Sequence, residues 1–170
     1  MEIIQIDKQC TESMERIWSI QQAAYPLEAK WIGFDRIPPL MESFEELCRT
    51  PEFFLGCMLD QVLVGAISYE QIAGDRMEIC RMMVHPPFHR QGVASRLLAH
   101  FLQLNEDKWI EVCTGEGNEP AIQLYQKHGF RQVDTRRVND RLQLICFEKS
   151  PVRDLDSMIE GEGQDESMDH

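Results

Sequence analysis

The chain has 170 residues, of which 43% are hydrophobic, and a formal net charge of −12. That length supports one sizeable core and would leave a second domain cramped, while the acidic balance argues against nucleic acid, whose phosphates demand a basic face. No apolar run approaches the ~18 residues of a membrane span and the N-terminus lacks a basic region followed by an apolar stretch, so a soluble, cytoplasmic protein with no membrane partner is expected.

Glu2 to Ile6 alternate as a first strand. Thr11 or Ser13 can cap a helix whose apolar positions Met14, Ile17, Trp18, Ala24 and Tyr25 recur at helical spacing with Gln21 as the exception, and Pro26 is expected to end it. The stretch 27–40 reads as a loop carrying Trp31, Ile32, Phe34 and Ile37 beside Gly33, Pro38 and Pro39. So many apolar groups either pack over the edge of the core or wall a pocket. A short helix follows at Phe44 to Cys48, then a hairpin of Phe53 to Met58 and Gln61 to Glu70, then a turn at Ala73-Gly74-Asp75.

Glu78 to Phe101 is the most informative stretch. Ile79, Cys80, Met82, Met83 and Val84 form an apolar run suited to a strand covered on both faces, and Pro86-Pro87 stop it near His85, itself a turn residue. From Gln91 the apolar positions shift to Val93, Leu97, Leu98, Phe101 and Leu102, the stripe of an amphipathic helix beginning close to Gly92. Its first turn offers free backbone N–H groups and a positive dipole end, and the small side chains of Gly92 and Ala94 allow a pyrophosphate to approach closely. His89 and Arg90 add donors or charge just before it.

Beyond this helix, Lys108 to Thr114 reads as a strand, Asn118 can cap a helix that Gly129 ends before Phe130, and Phe130 to Arg136 with Leu142 to Glu148 forms a last hairpin. Strands in mostly antiparallel order with helices between them give an α+β, or mixed α/β, domain. Six cysteines, Cys10, Cys48, Cys57, Cys80, Cys113 and Cys146, include no Cys-x-x-Cys pair, so they read as small buried hydrophobes in a reducing compartment and neither a metal site nor a disulfide framework is expected. Seven acidic residues without Lys or Arg fall in 154–170, leaving −5 for the rest, and 150–170 is expected to be a disordered acidic tail.

Two motifs carry a resemblance. His89-Arg90-Gln91-Gly92-Val93-Ala94, following a strand, resembles motif A of the GNAT acetyltransferase superfamily, with His89 where the family usually has Gln or Arg. Asn118-Glu-Pro-Ala-Ile-Gln-Leu-Tyr-Gln-Lys-His-Gly-Phe130 resembles its motif B, in family order and about 25 residues later. The resemblance covers residues 1–149 and implies a central, mostly antiparallel twisted sheet of six or seven strands flanked by about four helices. It also implies acetyl-CoA as donor, with no metal, and direct attack by an amine of a small molecule or protein in a ternary complex.

In that family the motif A strand and its successor splay apart to admit the pantetheine arm. Backbone groups at Met83 and Val84, the loop His89 to Gln91, the helix start Gly92, Val93, Ala94 and Ser95, and Asn118 are then the donor-binding residues. The resemblance implies Tyr125 as the acid that protonates the leaving thiolate, with a core aromatic as the alternative. It offers Glu78, eleven residues before His89, as the base that deprotonates the amine, with a merely solvated or Arg76-paired carboxylate as the alternative.

The acceptor stays open: Glu28, Asp35, Glu42, Glu45 and Glu46 suit a cationic amine or form a solvated face, whereas Arg136, Arg137 and Arg141 suit an anionic group or internal ion pairs. A non-catalytic acyl-CoA-binding module and an unrelated α/β binding domain are the competing readings, and the sequence leaves both a monomer and a homodimer open.

Overall fold

A computed structural model describes residues 1–152; the acidic stretch 154–170 lies outside the described residues. In chain order the elements are β1 (Glu2–Gln5), α1 (Thr11–Ile32), α2 (Pro38–Met41), α3 (Phe44–Arg49), β2 (Phe53–Leu59), β3 (Val62–Ala73), β4 (Arg76–Val84), α4 (Val93–Leu104), β5 (Trp109–Gly115), α5 (Glu119–Lys127), β6 (Arg131–Asn139) and β7 (Leu142–Lys149). The strands make one sheet in the order β1-β2-β3-β4-β5-β7-β6. Only β4 and β5 run parallel, as they must when α4 carries the chain from the end of one to the start of the other.

Alternation along the strands sends side chains to two cores, one on each face of the sheet. Leu55, Val64 and Ile67 join Leu97, Leu98 and Phe101 of α4 and Tyr125 of α5. Their neighbours Phe54, Leu63 and Ala66 join Met14, Ile17 and Ile20 of α1 and Leu47 of α3. Each fully buried residue of this size contributes about 1.5–3 kcal/mol of transfer free energy, so the sheet is clamped from both sides. The β2–β3 hairpin turns on Asp60 and Gln61, both at positive φ (48° and 65°), the mirror-image turn that matches strand twist.

Two expectations need correction. Pro26 does not end the first helix, which continues to Ile32 and stops at the left-handed Gly33. Pro26 and Gln22, whose carbonyl loses its partner, both lie on the exposed side where water can replace the lost bond. Tyr25 and Ala29 prolong the buried stripe beyond it, and that burial outweighs the local penalty. What reads as a loop over 27–40 is therefore mostly helix. The second correction concerns sulfur: Cys113 and Cys146 face each other in the β5–β7 register and are joined in a disulfide, their Cα atoms 4.1 Å apart. Nothing in the spacing of these two residues announces that β7 returns beside β5.

Candidate active site

Parallel pairing of β4 with β5 covers only Arg76↔Trp109 to Ile79↔Val112, although β4 continues to Val84 and β5 to Gly115. On its other edge β4 stays paired with β3 as far as Gly65↔Val84, with the register shifting at Cys80 between Tyr69↔Ile79 and Ser68↔Arg81. Cys80 is thus the extra residue of a β-bulge, which bends β4 away from β5 and leaves it without a strand partner on that side beyond Ile79. The gap opens into a cavity of about 1200 Å³ walled by Met82, Val84, Thr114, Asn118, Tyr125 and the first turn of α4.

That first turn is uncapped. Gly92 sits at the N-cap with φ 81°, no side chain bonds the helix start, and the first intrahelical bond runs from Arg96 N–H to Gly92 O at 3.0 Å. The N–H groups of Val93, Ala94 and Ser95 therefore have no intrahelical acceptor. A Cβ built on Gly92 would meet nothing within 4 Å, so glycine answers the sign of φ there and not a lack of room. Arg90 also adopts positive φ, 60°. The His89 ring packs against Trp31 at 6.4 Å, and its Nε2 lies 2.8 Å from Val84 O; Gln91 Nε2 donates to Pro87 O at 3.2 Å. Both side chains thereby hold the loop in place, and Arg90 is the cation this loop contributes to the cavity wall.

A splayed parallel strand pair facing an uncapped helix start has the shape and the free N–H groups to receive an elongated anion. The model of the acetyltransferase (GNAT) family matches residues 14–130. The chain belongs to the GNAT acetyltransferase family. It is 36% identical over 163 residues to the UPF0157 protein YqkA of Bacillus subtilis (strain 168), covering 95% of this chain and 47% of that protein, so the chain spans about half of that relative's length. The fold of the ribosomal-protein-S18-alanine N-acetyltransferase from Escherichia coli matches with a TM-score of 0.69 at 18% identity, over 86% of this chain and 91% of that one. The PaiA N-acetyltransferase of Thermoplasma acidophilum, in complex with coenzyme A, matches with 0.68 at 18% identity, over 88% of this chain and all of that one.

Within this GNAT fold the residues singled out from sequence divide. Tyr125 and Asn118 line the cavity together with Val84, His89, Arg90 and Gly92 to Ser95, whereas Met83 is buried in the α1-side core and lends only its backbone to the strand edge. Asn118 accepts from Ala121 N–H at 3.3 Å, capping α5, and donates to Thr114 Oγ1 at 3.1 Å. Tyr125 is buried against Phe130 and Phe147, and burial with the nearby Glu28 pushes its phenol well above the usual range, so it stays protonated at neutral pH. Glu78 is separate from this group. It stands directly opposite Glu70 on β3 and Glu111 on β5, and the cavity wall begins at the next residue, Ile79. Burial, then Glu70 and Glu111, raise its carboxyl above the ordinary value. Arg76 does not pair with it, being bonded to Glu111 and Glu148 instead.

The network around Arg81 escaped the sequence reading, although Glu42 was among the acids named there. Arg81 is buried and donates to Glu42 at 2.5 and 2.9 Å, to Glu52 at 2.8 and 2.9 Å, and to Gln21 Oε1 at 2.9 Å. Gln21 also donates to Pro39 O and to Glu42, both at 2.9 Å, which explains why a polar residue interrupts the apolar stripe of α1. Hydrogen bonds and charge from Arg81 overcome burial and hold both glutamates below the usual carboxylate range. This network pins α1 and the segment of α2 to β4, forming the far wall of the cavity. Glu28, one helical turn before Ile32, was among the acids expected to suit a cationic amine, and it lines the cavity. Burial pushes its carboxyl up to about 7, while the adjacent Asn118 amide acts the other way.

Proposed function

We propose that the chain is an N-acetyltransferase that passes an acetyl group from acetyl-CoA directly to an amine held in the same cavity. The observation carrying this reading is that the open edge of β4, the uncapped start of α4 and Tyr125 all border one cavity. Bound acetyl-CoA would supply the activated thioester. The N–H groups of Val93, Ala94 and Ser95 bind its pyrophosphate, aided by Arg90. Backbone groups on the open edge of β4 around Met83 and Val84 hold the pantetheine arm, and an N–H there polarises the thioester carbonyl. Tyr125 gives its phenolic proton to the leaving sulfur, a task suited to a phenol kept neutral.

The acceptor class follows from the walls. Glu28 and the pair Glu42 and Glu52, balanced by the single Arg81, make the end near α1 net negative and suit a cationic amine. A peptide with a free N-terminal alanine, as the name of the Escherichia coli structure suggests, and spermidine are the acceptors to try first.

The test is thermal unfolding with and without acetyl-CoA, followed by CoA release with those two amines. At a hundredfold excess over the dissociation constant, binding stabilises by about 2.7 kcal/mol, and each kcal/mol raises the midpoint by roughly 2–4 °C. Tyr125→Phe is expected to keep this shift and lower turnover about a hundredfold or more. Absence of any shift would overturn the reading; a shift without acceleration by either amine would favour an acyl-CoA-binding module.

A further inference from the structure

The carboxyl group that a general base requires is present inside the cavity, on an element outside both sequence motifs. We propose that Glu28 on α1, and not Glu78 on β4, is the general base that deprotonates the acceptor amine; this rests on the acetyltransferase reading above.

The placement is fixed by the close approach of α1 to two glycines, Gly115 at the end of β5 and Gly117 just after it. The C-terminal turn of α1 seats on the loop after β5: a Cβ on Gly115 would lie 2.4 Å from Ile32 Cδ1, and one on Gly117, at φ 97°, would lie 2.6 Å from Trp31 O. Both glycines therefore allow the helix to close onto the loop. One turn back from Ile32 on the same helix, Glu28 reaches Asn118 at the start of α5 and comes within electrostatic range of Tyr125. Acid and base thus border the splay between β4 and β5 from α5 and α1, with the acceptor wall of Glu42, Glu52 and Arg81 beyond. Glu78, by contrast, is absent from the cavity wall and shares its place on the sheet with two other carboxylates.

The surrounding groups leave Glu28 free for the task. Arg81 is engaged by Glu42 and Glu52, and the His89 side chain by Val84 and Trp31. On its own helix Tyr25 is fully buried, with its phenol pushed well up, first by burial and then by Glu28. Tyr125 on α5 is likewise held neutral; Arg90 and Lys127 line the cavity from the α4 loop and the end of α5. Among the described residues no cation pairs with Glu28, and its environment raises its proton affinity toward neutral pH, where a base is most effective.

In the step, the Glu28 carboxylate takes one proton from the ammonium group, and the freed nitrogen lone pair forms the C–N bond to the acetyl carbon. As the C–S bond breaks, its electron pair stays on sulfur, which takes the Tyr125 proton; the second proton leaving nitrogen restores Tyr125. Glu28 returns its proton to solvent.

Two measurements on the full chain test this. Carbon-13 NMR of side-chain carboxyls, comparing wild type with Glu28→Gln, should show one resonance missing in the variant that titrates near neutral pH in wild type. The acid limb of kcat/KM, read with whichever of the alanine peptide or spermidine is accepted, should follow the same midpoint. Glu28→Gln should lower kcat by a hundredfold or more and abolish that limb, with the acetyl-CoA thermal shift retained. Glu78→Gln should keep the limb. An ordinary midpoint for Glu28, or an acid limb that survives Glu28→Gln and vanishes with Glu78→Gln, overturns the assignment. Failure of wild type to bind acetyl-CoA would instead overturn the acetyltransferase reading itself.

Discussion

The two ends of the cavity are built by opposite means. At the end formed by β4 and the start of α4, backbone groups face the cavity: an unpaired strand edge and three uncapped N–H groups, exposed by a bulge at Cys80 and a left-handed Gly92. At the end formed by α1, α2 and the start of β2, side chains do the work, with Arg81 tied to Glu42, Glu52 and Gln21, and Glu28 paired with no cation among the described residues. Backbone recognition tolerates changes of side chain that keep φ and size. Side-chain recognition fails when one partner is removed, because the others remain buried and uncompensated.

The largest test of this contrast is Arg81→Met. It strands two carboxylates in the acceptor wall and should cost about 3–5 kcal/mol in urea unfolding. A loss below ~1 kcal/mol would mean the network is solvated and the wall is not pinned by it. Next comes the pH dependence of Glu28. Its folded value, pushed up to about 7, lies above the ordinary one, so the folded state binds more protons and stability falls as pH rises from about 4.5 to 7, by on the order of 3 kcal/mol. Glu28→Gln should flatten that part of the stability curve. Glu42 and Glu52 act in the reverse sense: held low, they contribute stability above the ordinary carboxylate range that is lost as pH falls through their folded values.

Effects at the backbone end should be smaller and confined to binding. Ala94→Glu places a carboxylate at the uncapped turn, where the pyrophosphate is proposed to bind, and should weaken acetyl-CoA at least about tenfold by calorimetry, roughly 1.4 kcal/mol, with little change in unfolding. A wild-type affinity in this variant would remove the pyrophosphate from the start of α4. Asn118→Ala, which removes the α5 cap, should cost about 1 kcal/mol of stability. A loss well above that would show that its contacts to Thr114 and Glu28 also carry weight.

The same contrast explains what could be read without coordinates. Gly92 and Gly129 lie at positive φ where a helix must start or end, and their spacing to His89, Asn118 and Phe130 is written within short segments. The start of α4 was therefore legible, as were the hairpins and the α4 stripe. Pro26 misled because a proline's local penalty is visible in sequence, whereas the burial of Tyr25 and Ala29 that offsets it is not. Glu78 stood out through its offset from His89, yet an offset along a strand does not reveal that its neighbours are Glu70 and Glu111 or that the cavity starts one residue later.

By itself the sequence determined the elements whose cause is local: alternation, helical stripes, caps and left-handed glycines, and with them the family. Tertiary structure alone decided which distant residues meet. It brought Arg81 to Glu42 and Glu52, 39 and 29 residues away, set Cys113 against Cys146, and laid Glu28 beside Asn118. Those meetings depend on how α1 and β7 dock on the sheet, which is the summed burial of two cores and is encoded in no single stretch of the chain.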